Sequence, residues 1–258
     1  MTSVATPSES NDDALDVDAI DIDALLDVAD AVDVTWVREQ HQLAEVINAL
    51  ATCGRVALDT EFIKRDTYYP RLALVQLNTG NHVYLLDAPE LQLSELWEAL
   101  RQVDVAIWHA CGEDLGIFYL LSGCPPLTNI FDTQIANSFL DGEYTIGYQG
   151  LVEQELGIVL DKHETRSNWI RRPLSDSQLK YAALDVEYLI HLYKFQKEEL
   201  SRSNKMIWLE QDIQRLLRLT FNPSKSVLSR SRTIIFGAMT RKFFERSESS
   251  SYFLSFEP

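Results

Sequence analysis

The chain has 258 residues, 46% of them apolar and 10% aromatic, enough for one domain of ordinary size with extensions and a sizeable core. No run approaches the roughly 18 apolar residues of a bilayer-spanning helix, and the polar start MTSVATPSESNDDALDVD lacks the order of a secretory signal, so a cytoplasmic protein with no membrane partner is expected. A net charge of -16 argues against tight, non-specific binding to long duplexes, which rests on many Lys and Arg contacts to phosphate.

That charge is unevenly spread. Residues 1–33 hold ten acids and no Lys or Arg, whereas residues 201–258 hold ten basic residues against five acids. Residues 34–200 therefore carry -11. Residues 1–33 read as a disordered acidic arm, polar over 1–13 and then alternating aspartates with Leu, Ile, Val and Ala. A flexible tail, an RNA mimic and a partner-binding arm all fit that pattern. Cys53, Cys111 and Cys124 are odd in number and lack zinc-type spacing, which suits buried thiols in a reducing compartment.

The folded domain is expected over 34–202. Residues 35–50 show helical spacing, with Val37, Leu43, Val46, Ile47 and Leu50 on one side. The runs RVALDTEF (55–62), LALVQLNTG (72–80) and HVYLLDA (82–88) read as strands, the last two joined by a Gly80-Asn81 turn. A helix is predicted over 93–101, a strand over 105–110 and a helix over 114–122. A short strand over 130–134 leads into a helix ending at Leu140. Helices are predicted at 149–156 and, most strongly, at 176–200. This succession indicates an α/β layer fold. Residues 203–258 read as a short divergent extension, Ser/Arg-rich beyond 222.

Asp59 and Glu61 stand two apart on a predicted strand, so both side chains share one face. Two adjacent carboxylates repel, and a divalent cation resolves the repulsion. Alone, such a pair is common and reads by default as a solvated strand edge. Asp114 opens a predicted helix, where an acid serves either as a cap or as a ligand. Tyr181 and Asp185 are one turn apart on the 176–200 helix, and an Asp amid apolar residues is a poor helix choice there.

Together, the stretches ALDTEF…TYYPRLALVQL, HACGEDL, DTQIA and LDKHETRSNWIRRPLSDSQLKYAALDVEYL resemble the DEDD exonuclease superfamily, in its tyrosine branch, and within it the ribonuclease D family. The resemblance spans about residues 35–200. It implies a ribonuclease H-like α/β fold, a mixed five-stranded sheet flanked by helices. It implies two divalent ions, Mg²⁺ or Mn²⁺, held by Asp59, Glu61, Asp114 and Asp185, with Tyr181 orienting the attacking water. Thr60, Tyr68, Gln76, His109, Arg166, Trp169, Arg171 and Arg172 become candidate substrate contacts. The implied activity is 3′→5′ trimming of RNA, such as transfer RNA precursors, by a monomer. A DNA exonuclease and an RNA-binding protein that no longer cuts are the alternatives. The family continues into one or two small helical RNA-binding domains, and the 58 residues after Leu200 are too few for two of them, so the expectation is a truncation or, alternatively, a genuine short member with a divergent tail. No glycine-rich phosphate loop followed by Lys-Ser/Thr supports an ATP-driven motor.

Overall fold

The computed structural model describes residues 33–64, 70–122, 127–140, 142–160 and 167–221. The acidic arm before Asp33, Tyr68, Cys124, Arg166 and the stretch beyond 221 lie outside the described residues.

The sheet has six strands in the order β1-β4-β3-β2-β5-β6. These are β1 (Asp33–Val37), β2 (Arg55–Ile63), β3 (Arg71–Asn78), β4 (His82–Asp87), β5 (Val105–Trp108) and β6 (Ile130–Asp132). β2, β3 and β4 form an antiparallel meander. β1 joins β4 in parallel, while β5 and β6 extend the other side in parallel with β2. The expected five-stranded sheet is thus one strand short of the observed one. The extra strand is β1, in a stretch expected to be helical. Val34, Thr35, Trp36 and Val37 are β-branched or aromatic, and pairing with the exposed edge of β4 outweighs their helical spacing. Helix α1 (Gln40–Cys53) starts only where Glu39 and Gln42 form a reciprocal capping box. It buries Leu43, Val46 and Leu50 and ends at Gly54, whose φ of 62° suits glycine.

Helices α2 (Ser94–Leu100), α3 (Gly112–Ser122), α4 (Thr133–Ser138) and α5 (Tyr148–Leu156) follow. The strong helical stretch near the end of the domain is two helices, α6 (Asp176–Glu187) and α7 (Leu189–Arg202). Tyr148 of α5 separates them. Its hydroxyl donates to the Leu184 carbonyl (2.8 Å) and accepts from the Tyr188 N–H (3.2 Å), a pair that would bond each other in a continuous helix. Asn78 donates to the Val186 and Glu187 carbonyls, both at 3.1 Å. Inserted side chains thus turn the chain directly after Asp185.

Helix α6 packs across β2, β3 and β4, and α7 across β2 and β5. α1 packs on β2 and α2, and α2 on α3. A further helix, α8 (Met206–Phe221), packs on α3, α4, α7 and β6 and buries Leu209, Ile213 and Leu217. The packed body therefore runs past the boundary expected at 202. Among the described residues, no helix is long and apolar enough to cross a membrane.

Candidate active site

Asp59 and Glu61 project from β2 beneath α6, which supplies Asp185. Carboxylate oxygens of these three residues lie within 4.8 Å of one another. They line a cleft of ≈ 210 Å³ with His109, Tyr148, Gln149 and Tyr181. Asp114 arrives from the opening turn of α3. It is 9% exposed, and the Thr60 hydroxyl donates a hydrogen bond to its Oδ1. Thr60 thus ties β2 to α3 and aims the fourth acid. The neighbouring Glu113 is exposed and pairs with Lys64 at 2.8 Å.

Crowding raises the proton affinity of every member. Burial pushes the Asp59 carboxyl well above its ordinary 3.8, and Asp114, Asp185 and Glu61 push it further. Glu61 rises to about 8, through burial and then through Asp185 and Asp114. Burial carries Asp185 to about 8. Asp114 reaches about 6, because the Thr60 hydroxyl and its own backbone N–H partly offset burial. Among the described residues no Lys or Arg forms an ion pair with any of the four. An all-oxygen, multiply anionic donor set without an internal counter-charge fits a hard divalent cation such as Mg²⁺ or Mn²⁺.

Two supports converge on Tyr181. Gln149 donates from Nε2 to the Tyr181 Oη at 3.3 Å. Trp169 packs with its ring centroid 6.1 Å from the tyrosine ring and is 2% exposed. Arg172 holds the turn that carries Trp169. It donates to the Trp169 and Arg171 carbonyls (2.6 and 3.1 Å), to the Ala73 carbonyl (2.9 Å), and through Nε and Nη2 to fully buried Asp87 (3.0 and 2.6 Å). Ala73 has no partner on β2, because the register shifts between Glu61 and Phe62; its carbonyl is therefore available to the guanidinium.

A second network sets the approach to Asp114. Asp132, 1% exposed, accepts from the Gln134 and Ile135 N–H groups as the N-cap of α4. It also accepts from the Ala110 and Cys111 N–H groups at 3.2 and 2.9 Å. These bonds hold Ala110 at a φ of 57°, the tight turn between β5 and α3.

The structure revises several expected substrate contacts. Arg172 has all five N–H donors occupied within the protein, leaving none for phosphate. Trp169 is buried beneath Tyr181 and offers no face for a base. Gln76 is fully buried, so RNA does not reach it. His109 lines the cleft, but both ring nitrogens are engaged, Nδ1 with the Thr133 hydroxyl (2.9 Å) and Nε2 with the Ile146 carbonyl (3.1 Å). Burial lowers its pKa below 6.5, so it is neutral at physiological pH. Thr60 orients Asp114, and Arg171 alone of the described candidate cations is exposed and unbonded through its side chain. Tyr68 and Arg166 lie outside the described residues. Sequence reasoning passed over Gln149, Tyr148, Asp87 and Asp132. The Asp132-Thr-Gln-Ile run carried a legible N-cap signal; the other three depend on partners distant in sequence.

Residues 34–201 match the 3′–5′ exonuclease family. The chain is 40% identical over 186 residues to ribonuclease D of Pseudomonas paraeruginosa, covering 70% of this chain and 48% of that protein. It is 41% identical over 185 residues to ribonuclease D of Xanthomonas oryzae pv. oryzae, covering 70% and 50%. It thus spans about half the length of the curated relatives it matches. The crystal structure of Escherichia coli RNase D, described as an exoribonuclease involved in structured RNA processing, superposes with a TM-score of 0.70 at 31% identity, over 73% of this chain and 51% of that one. The matched segment contains β2, α3 and α6, the elements that bring the four acids and Tyr181 together, and the chain belongs to the 3′–5′ exonuclease family, with a domain similar to that of ribonuclease D.

Proposed function

We propose that this protein is a metal-dependent 3′→5′ exoribonuclease that hydrolyses RNA from its 3′ end to nucleoside 5′-monophosphates, with transfer RNA precursors as the natural substrate class. The observation that carries this reading is the convergence of Asp59, Glu61 and Asp185 within 4.8 Å, with Asp114 beside them and Tyr181 on the same cleft wall. Asp59, Glu61, Asp114 and Asp185 would hold two divalent cations, Mg²⁺ or Mn²⁺. Bound, such ions supply Lewis-acid stabilisation of the charge building on the phosphate and lower the pKa of water.

The chain's own groups do the rest. The Tyr181 hydroxyl, propped by Gln149 and backed by Trp169, orients the attacking water through a hydrogen bond. His109 and the Tyr148 ring, 5.8 Å apart between centroids, wall the cleft. Thr60 fixes the Asp114 rotamer, so the fourth carboxylate is preorganised.

The test uses a 5′-labelled RNA with a 3′ overhang, incubated with Mg²⁺ or Mn²⁺, beside a DNA strand of the same sequence and the Asp185→Asn variant. An RNA ladder shortening by single nucleotides, abolished by EDTA and by the substitution, is the expected result. Absence of a ladder from folded protein with either metal would overturn the proposal, and equal degradation of DNA would overturn the RNA assignment.

A further inference from the structure

Gln76 is an anomaly. It is fully buried in the centre of the sheet, yet neither its Oε1 nor its Nε2 has a hydrogen-bond partner. A buried amide with neither polar atom paired is costly and calls for an explanation, such as a catalytic role or a bound ion.

Its position names what that is. Across the antiparallel β2–β3 pair, Gln76 stands directly opposite Asp59, so the two side chains emerge on one face about 5 Å apart at Cβ. On β4 its partner is Leu85, and two residues along β3 on the same face stand Leu74 and Asn78. The leucines offer no polar atom. The Asn78 amide is already used, by Val186, Glu187 and Gly80. Asp59, directly opposite on β2, is the nearest carboxylate acceptor, with Glu61 on the same face two residues further along the strand.

We propose that Gln76 is a positioning residue for Asp59: its Nε2–H would donate to the Asp59 carboxylate when the acidic cluster holds a divalent cation, and so fix the rotamer. This rests on the metal-binding reading of the cluster given above. Loading the site would give the buried amide its partner. Gln76 thereby does for Asp59 what the Thr60 hydroxyl does for Asp114. Groups that orient metal ligands in this way change metal affinity or activity by roughly 10–100-fold when lost.

The experiment compares the full chain with Gln76→Met, an apolar side chain of similar length, and with Gln76→Leu as a second variant should methionine pack poorly. Three quantities are read: the Tm in EDTA, the Mn²⁺ affinity by titration calorimetry, and kcat and KM on an RNA oligomer. The variant is expected to melt several degrees higher than the unmodified protein in EDTA, to bind Mn²⁺ roughly 10–100-fold more weakly, and to lose kcat with KM little changed. A residue needed only for packing would move the EDTA melting temperature down and leave the affinity of the folded fraction intact. Mn²⁺ binding by both folded variants as tight as by the unmodified protein would overturn the proposal and leave the proposed function standing. An unmodified protein that binds no Mn²⁺ would overturn both.

Discussion

Raising the pH of the metal-free protein from 5 to 8 should destabilise it, and replacing Asp185 should remove part of that loss. Glu61 and Asp185 are held at about 8 and Asp114 at about 6, against ordinary values of 4.5, 3.8 and 3.8. A carboxyl whose pKa is raised by folding keeps its proton in the native state after the unfolded chain has released it. Stability is therefore full below about pH 4, falls through the window between the unfolded and folded values, and levels off above about pH 8. Glu61 alone, carried from 4.5 to about 8, corresponds to at most about 5 kcal/mol, and water along the open side of the cleft reduces this to a few kcal/mol. For a chain of this size, 1 kcal/mol shifts Tm by about 2–4 °C, so a fall of about 5–15 °C is expected in EDTA between pH 5 and 8. Asp185→Asn removes one mutually repelling carboxylate. Its Tm in EDTA should exceed that of the unmodified protein at pH 8 and approach it at pH 5, although its nuclease activity is lost. Mg²⁺ should restore the unmodified protein at pH 8 by mass action and the variant much less. The assay is thermal melting by circular dichroism across pH, with and without Mg²⁺. A flat Tm from pH 5 to 8 in EDTA, or a variant less stable by the same amount at both pH values, would refute the electrostatic reasoning.

Three further outcomes follow from the surrounding networks. Arg172→Ala leaves Asp87 buried with only a distant contact from Arg38 at 3.8 Å, and should cost about 3–5 kcal/mol in urea unfolding; Arg172→Lys should recover little, because an ammonium cannot reproduce the fork. Asp132→Ala removes four backbone bonds from two elements and should cost about 3–5 kcal/mol, with weaker metal binding because α3 loses its anchor; unchanged Mn²⁺ affinity in a folded variant would count against that link. Gln149→Leu should lower kcat a few-fold with KM unchanged and have no further effect in a Tyr181→Phe background, whereas additive losses would show that Gln149 acts elsewhere.

The four carboxylates and Tyr181 were legible in the sequence because each carries a local signature. Asp59 and Glu61 obey strand alternation, Tyr181 and Asp185 obey the helical turn, and Asp114 sits at a helix start; the order of these motifs carried the resemblance to the exonuclease superfamily. Local pattern also located most of the strands and helices. It failed at 35–37, where pairing with β4 overrode helical spacing, and at Tyr188, where the Tyr148 hydroxyl enters the backbone ladder of an otherwise continuous helix.

The roles of the supporting residues were decided by tertiary structure alone. A sequence shows that Arg172 is cationic and Trp169 aromatic, which suits RNA, but whether a cation meets phosphate or a buried Asp87 depends on a contact 85 residues away. Gln76 likewise reads as one polar residue in an apolar strand until the register sets it opposite Asp59. Chemistry that depends on neighbours along the chain was determined by the sequence itself. Chemistry that depends on which side chains share a buried face emerged only when strand register, helix packing and burial brought those side chains together.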